Sequence, residues 1–323
     1  MVFSIRNIML FSCLVMIAAC GNPDQSTNAA ASAGPEGKRP VIALIMKSLA
    51  NEFFVTMADG AREHEAAHRD QYRLIVNGIK NETDLAQQVA LIDQMIAAGV
   101  DAIVIAPADS KALVPALARA GAAGIVIINI DNRLDVDVVR DYGLNIPFVG
   151  PDNFLGAELV GRFLASQLKA GQDVAILEGV PTAFNSQQRT SGFLKAMADG
   201  GLNVVAQQSA QWDQTQAVTV ASGILVRHAN LAAILCANDN MALGAVAAVT
   251  QSGKNGQVKI IGFDNISAVQ ALVRSGRILA TVDQHAGLLA VYGIEYALEA
   301  LATGNVLADK STPVDLVTAN AIQ

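Results

Sequence analysis

"VIALIMKSLANEFFVTMADGA" (41–61) contains the decisive passage of this chain. Six successive apolar residues, Val41 to Met46, are what a strand buried on both faces requires. Phe54, Met57 and Ala61 then recur at helical spacing, so strand passes directly into helix. The turn between them holds Lys47, Asn51, Phe53 and Phe54, and no glycine occurs between Val41 and Asp59. A phosphate-cradling turn at this place needs glycines, either G-x-G-x-x-G or a Walker A loop. A dinucleotide enzyme or P-loop nucleotidase is therefore a poor reading, and no G-x-S-x-G is present either.

The same alternation continues outward. "YRLIVNG", "DAIVIAP" and "IVIINI" precede the middle of the chain; "DVAILEG", "NVVAQQSA", "AAILCAN", "VKIIGFD" and "ILATVDQ" follow it. Amphipathic stretches lie between them. One is "TDLAQQVALIDQMIAAG", which opens on a Thr83 or Asp84 cap and closes on Gly99. Parallel sheets covered by helices follow from this pattern. The runs exceed one comfortable sheet and divide near Gly150, which predicts two α/β lobes with a cleft between them. "NIDNRLDVDVVRDYG" shows no helical signal and reads as an irregular connection.

Composition narrows the function. Of 323 residues, 52% are hydrophobic and 16% charged, as in a globular protein. The net charge of −7 argues against a nucleic-acid binder. At the start, Arg6 and the apolar "IMLFSCLVMI" form an export signal that ends in "IAAC" (17–20), a lipobox pattern marking Cys20 for lipidation. "GNPDQSTNAAASAGPEGKRP" then reads as a flexible tether. With Cys13 removed and Cys20 lipidated, Cys236 is the remaining thiol, in an apolar run suited to an inert buried cysteine.

In open α/β sheets, ligands bind beyond the carboxyl ends of the strands. Those ends carry Lys47, Asn51, Phe53 and Phe54, then Asp131, Asn132 and Arg133. In the second half they carry Arg189, Trp212, Asn238, Asp264 and Gln284. Asp and Asn bridge pairs of hydroxyls, Arg donates a rigid fork of N–H groups, and aromatic rings cover the C–H faces of a sugar. Asn and Asp at strand ends also cap helices, so each singly has a structural reading too.

Taken in order, "SLANEFFVTMADGA", "APADSKAL", "VGPDNFLGAELVGRFL", "NSQQRTSGF", "CANDNMALGA", "IIGFD" and "ATVDQ" resemble the periplasmic sugar-binding proteins of the ribose-binding type, the solute receptors of ABC importers. The likeness runs from residue 40 to the end. It implies a type I periplasmic binding fold: two Rossmann-like lobes with parallel sheets, joined by a three-stranded hinge. It also implies a signal peptide over 1–20 and a tether over 21–39. The N-terminal lobe would comprise 40–151 with 285–315, and the C-terminal lobe 152–284 with 316–323. Lys47, Asn51, Phe53, Phe54, Asp131, Asn132, Arg189, Trp212, Asn238, Asp264 and Gln284 would bind the ligand.

Lys47 stands where the ribose receptor has a small hydroxyl residue, and Asn132 where it has Arg. The implied protein is a monomeric, non-enzymatic carrier of a monosaccharide or polyol. It needs no cofactor, delivers to a membrane permease, and is held to the membrane by lipid on Cys20. A sensor subunit for a membrane kinase or chemoreceptor would use the same site. A sugar acid is a further candidate ligand, its carboxylate paired with Lys47 and Arg189. "HEAAH" (64–68) matches a zinc-protease pattern, but it continues toward the far end of its helix among Arg62, Glu63, Arg69 and Asp70 and reads as a solvated, charged helix end.

Overall fold

The computed structural model describes residues 39–322, so the export signal, Cys20 and nearly all of the tether lie outside the described residues. The first lobe begins with β1 (Val41–Ser48), α1 (Glu52–Ala67), β2 (Arg73–Ile79), α2 (Leu85–Ala98) and β3 (Ala102–Ile105). It continues through α3 (Val114–Ala122), β4 (Val126–Ile130), α4 (Val136–Asp141) and β5 (Phe148–Pro151). The second lobe runs through α5 (Asn153–Ala165), β6 (Asp173–Glu178), α6 (Phe184–Asp199), β7 (Asn203–Ser209), α7 (Gln214–Arg227) and β8 (Ala233–Cys236). Then come α8 (Asp239–Gln251), β9 (Lys259–Ile261), α9 (Ser267–Arg274) and β10 (Ala280–Asp283). The chain returns to the first lobe for α10 (Ala286–Thr303) and β11 (Lys310–Thr312), and crosses again for β12 (Asp315–Thr318).

The two sheets share one topology, β11-β5-β4-β3-β1-β2 and β12-β10-β9-β8-β6-β7. All pairings are parallel except β10 with β12. In each, the strand order reverses beside the first strand of the lobe, the switch point where α/β sheets bind ligands. Three crossings between the sheets, around residues 152, 285 and 314, make the connection a hinge.

Alternation builds the packing. Ile42, Leu44 and Met46 point to the face covered by α1 and α10, while Ala43 and Ile45 meet α2 and α3. All eight residues of β1 are buried, which accounts for its apolar run. Asp84 caps α2 by accepting from the Gln87 amide, and Gly99 ends it in the left-handed conformation at φ 63°.

One expectation fails. "NIDNRLDVDVVRDYG" is not an irregular connection, because α4 forms within it. Asp135 accepts from the amides of Asp137 and Val138, and this cap starts a six-residue helix too short to show periodicity. β5 follows it as a full member of the first sheet, hydrogen-bonded to β4 and β11.

Candidate ligand site between the lobes

The strand ends of both sheets meet at one small cavity. Lys47 leaves β1, and Phe53 and Phe54 open α1. Glu82 follows β2 and Asp131 follows β4. From the other lobe come Asn185 and Arg189 on α6, Trp212 after β7, Asn238 before α8, Asp264 after β9 and Gln284 after β10. Asn51 and Asn238 line the cavity and cap α1 and α8 as well, accepting from the amides of Phe53 and Met241. The capping and binding readings of these two residues are therefore compatible.

Phe54 and Trp212 face the cavity from opposite lobes, 2% and 4% exposed. The Lys47 ammonium lies 5.6 Å from the Phe54 ring centre and 5.8 Å from that of Trp212. Trp212 can occupy its place only because residue 179 is glycine: a Cβ there would stand 2.1 Å from the indole. Asp131, Trp212 and Asp264 all have positive φ, at 61°, 66° and 130°. Backbone strain of this kind concentrates at functional sites, where the surrounding structure holds it.

Charge in the cavity is internally matched. Lys47 Nζ lies 3.0 Å from Asp131 Oδ2 and 3.8 Å from Glu82 Oε2, all three side chains nearly fully buried. Burial pushes the Glu82 carboxyl up, opposed by Lys47 and by the hydrogen bond Asn51 donates at 2.8 Å. Arg189 donates to Asn153 Oδ1 and to the Ala237 carbonyl, both at 2.8 Å, and sits 3.8 Å over the Phe263 ring. Its guanidinium also lies 3.4 Å from Asp264. Burial draws Arg189 down from its ordinary value and drives Asp264 well above the carboxylate range, while each counteracts the shift of the other. Lys47 and Arg189 thus each already have an acidic neighbour inside the cavity, Asp131 and Asp264 respectively.

Hydrogen-bonding capacity is not matched internally. Asp131 Oδ2, Asn185 Oδ1, Trp212 Nε1 and Gln284 Oε1 are buried without a hydrogen-bond partner, although Lys47 provides Asp131 with an ion pair. Buried polar atoms normally find partners, because leaving one unmet costs about 1–3 kcal/mol. Three such atoms and the Asp131 carboxylate around one cavity, with two aromatic walls, form a surface complementary to a small ring bearing hydroxyls.

Ten of the eleven residues expected at the site line this cavity; Asn132 does not. Its side chain is fully buried, donates to the Pro107 carbonyl at 2.9 Å and accepts from the Asn185 amide at 3.1 Å. Amide geometry turns it toward backbone in both lobes, so it is a connecting residue rather than a ligand contact. Arg133 does not replace the missing Arg, because it pairs with Asp309 and lies over Phe148. Two lining residues went unnoticed in the sequence. Applying the strand-end rule to β2 points to Glu82. Asn185 lies within "NSQQR", one turn before Arg189.

The HEAAH segment also differs from expectation. His64 is packed rather than solvated, with Nδ1 2.8 Å from the Tyr72 hydroxyl and its ring stacked on His68 at 4.1 Å. Glu65 accepts from the Leu74 amide. Among the described residues, no cluster of three His, Cys, Asp or Glu could hold a metal ion. Cys236 is buried, and burial beside Asp239 raises its thiol well above the ordinary value.

Comparison with known proteins agrees with this geometry. Residues 42–305 match the periplasmic binding protein domain family. A D-ribose/D-allose-binding protein of Pseudomonas aeruginosa is 52% identical over 286 residues, covering 87% of this chain and 90% of the relative. A solved ABC transporter solute-binding protein from Burkholderia multivorans, holding an unknown ligand interpreted as α-D-erythrofuranose, is 54% identical. Its TM-score is 0.86, with 87% of this chain and 100% of that one covered. A periplasmic solute-binding protein from Actinobacillus succinogenes with bound D-allose is 39% identical at a TM-score of 0.83, covering 88% and 99%.

Proposed function

We propose, from the premise that this chain belongs to the periplasmic binding protein family, that it captures a neutral monosaccharide between its lobes for an ABC importer. The observation that carries this reading is the set of unmatched buried polar atoms of Asn185, Trp212 and Gln284, beside the Asp131 carboxylate, around one small cavity. Sugar hydroxyls donate and accept, so they can satisfy the carboxylate, the amides and the indole N–H together. The rings of Phe54 and Trp212 take the two C–H faces.

Matched charge separates neutral sugars from sugar acids. A uronate carboxylate would have to displace Asp131 from Lys47 or Asp264 from Arg189 to find a base, and a buried unpaired charge is strongly disfavoured. D-Allose and D-ribose, bound by the similar proteins, are the first ligands to test. Capture proceeds by hinge closure, which removes the ring from water and strengthens its hydrogen bonds. The protein acts as a monomeric carrier without catalysis or cofactor, anchored outside the cytoplasm by lipid on Cys20.

Calorimetric titration with D-allose, D-ribose, myo-inositol and D-glucuronate tests the proposal. Saturable binding of a neutral sugar with no heat from D-glucuronate is the expected result. Binding of the uronate with the neutral compounds silent overturns it.

A further inference from the structure

Two helices of the second lobe have their first turns capped by the other lobe. α5, α7 and α8 carry their own N-caps, Asp152, Asp213 and Asn238. α6 follows Ala183 and α9 follows Ile266, and neither has a side-chain cap of its own. Ala and Ile are among the poorest residues at this position, because they offer no acceptor to the free N–H groups of the first turn.

The acceptors come instead from across the cleft. Ser110 Oγ accepts from the Phe184 amide at 2.9 Å, and Asn132 Oδ1 from the Asn185 amide at 3.1 Å. At α9, Glu52 Oε1 accepts from the Ser267 amide at 2.7 Å. These bonds span the lobes, so opening the cleft must break them and return those amides to water.

The connections adjoin the ligand site. Glu52 lies between Asn51 and Phe53, and Asn132 follows Asp131. On the other side, Asn185 and Arg189 ride on α6, and Asp264 precedes α9 by three residues. We propose that Glu52, Ser110 and Asn132 are positioning residues for capture, completing the N-termini of α6 and α9 only in the closed state. Closure and the seating of Arg189, Asn185 and Asp264 are then one cooperative event, and the closed state is populated before sugar arrives. The ligand step rests on the sugar-receptor reading; the capping step does not.

Amide hydrogen exchange of the full chain without sugar, read by mass spectrometry, tests the capping step. Glu52 and Ser110 do not line the cavity, so Glu52→Ala and Ser110→Ala leave the ligand contacts intact. The amides of Phe184, Asn185 and Ser267 are expected to be protected in the wild type. Ser110→Ala should speed exchange at Phe184 and Asn185, and Glu52→Ala at Ser267, each by about 5-fold, the effect of one lost cap. Glu52→Gln keeps an acceptor and should retain protection. The Gln216 amide, capped within its own lobe by Asp213, should not change.

With D-allose bound, Trp212 fluorescence in stopped flow should show dissociation about 5-fold faster in Glu52→Ala, with the association rate unchanged. Three results overturn the proposal: unprotected amides in the wild type, unchanged exchange in both alanine variants, or a parallel rise at Gln216. Because the exchange is measured without sugar, the capping result stands even if D-allose does not bind.

Discussion

Replacing Lys47 by Met removes the one ammonium shared by Asp131, at 3.0 Å, and Glu82, at 3.8 Å, while keeping a side chain of similar length. Both carboxylates remain in a site where Lys47 itself is 2% exposed. Breaking a buried ion pair by removing one partner costs about 3–5 kcal/mol. At ~2–4 °C per kcal/mol for a chain of this order of size, Tm should fall by roughly 10 °C at pH 8. The loss depends on pH with a definite sign. Burial already holds Glu82 above its ordinary value, and Lys47 is the strongest influence lowering it. Without Lys47 the Glu82 carboxyl rises further, and protonating it on acidification relieves the penalty. The Tm difference between wild type and Lys47→Met should therefore be smaller at pH 5 than at pH 8. Adding Glu82→Gln should recover part of the loss at pH 8. Differential scanning calorimetry decides the matter: a variant within ~2 °C of wild type at pH 8, or an equal loss at both pH values, refutes the reasoning.

Gly179→Ala places a Cβ 2.1 Å from the Trp212 indole, so the ring must shift. Affinity for D-allose in calorimetry should fall at least ~10-fold, in line with the ~1–3 kcal/mol cost of overpacking. Burial pushes Asp239 up to about 7, although Thr281 and the Ile266 amide bond to its carboxylate. A carboxyl raised in the folded state contributes stability fully present below about pH 4 and lost as pH rises through about 7. The Tm advantage of wild type over Asp239→Asn should thus widen between pH 7.5 and pH 5; a constant difference contradicts the assignment. Cys20→Ser should move the protein from the membrane fraction to the soluble fraction on cell fractionation, and a variant that stays with the membrane excludes the lipid anchor.

Much of the architecture was legible because buried parallel strands leave continuous runs such as "VIALIM", and helix caps leave Asp84 and Gly99 in plain view. α4 was missed because six residues are too few for a periodic signal, even with a good cap at Asp135. At the site, the strand-end rule placed ten residues around one cavity. It could not separate Asp131 from Asn132, since adjacent residues at a strand end point in different directions. Asp131 takes φ 61° and faces Lys47, while Asn132 turns toward Pro107 and the other lobe. Nor could it identify the partners of Lys47, because Asp131 and Glu82 lie far from it in the chain and are brought together by β4 and β2. Cross-lobe capping leaves only a faint trace in sequence: Ala183 and Ile266 occupy positions where a capping residue would stand.

The most direct test uses the only tryptophan in the chain. Trp212 forms one wall of the cavity, so D-allose seated against its ring should change the intrinsic fluorescence in a saturable, one-site manner, with D-glucuronate producing no change at the same concentrations. Calorimetrically confirmed D-allose binding that leaves the Trp212 emission unaltered would contradict the account, because the sugar would then lie somewhere other than between Phe54 and Trp212.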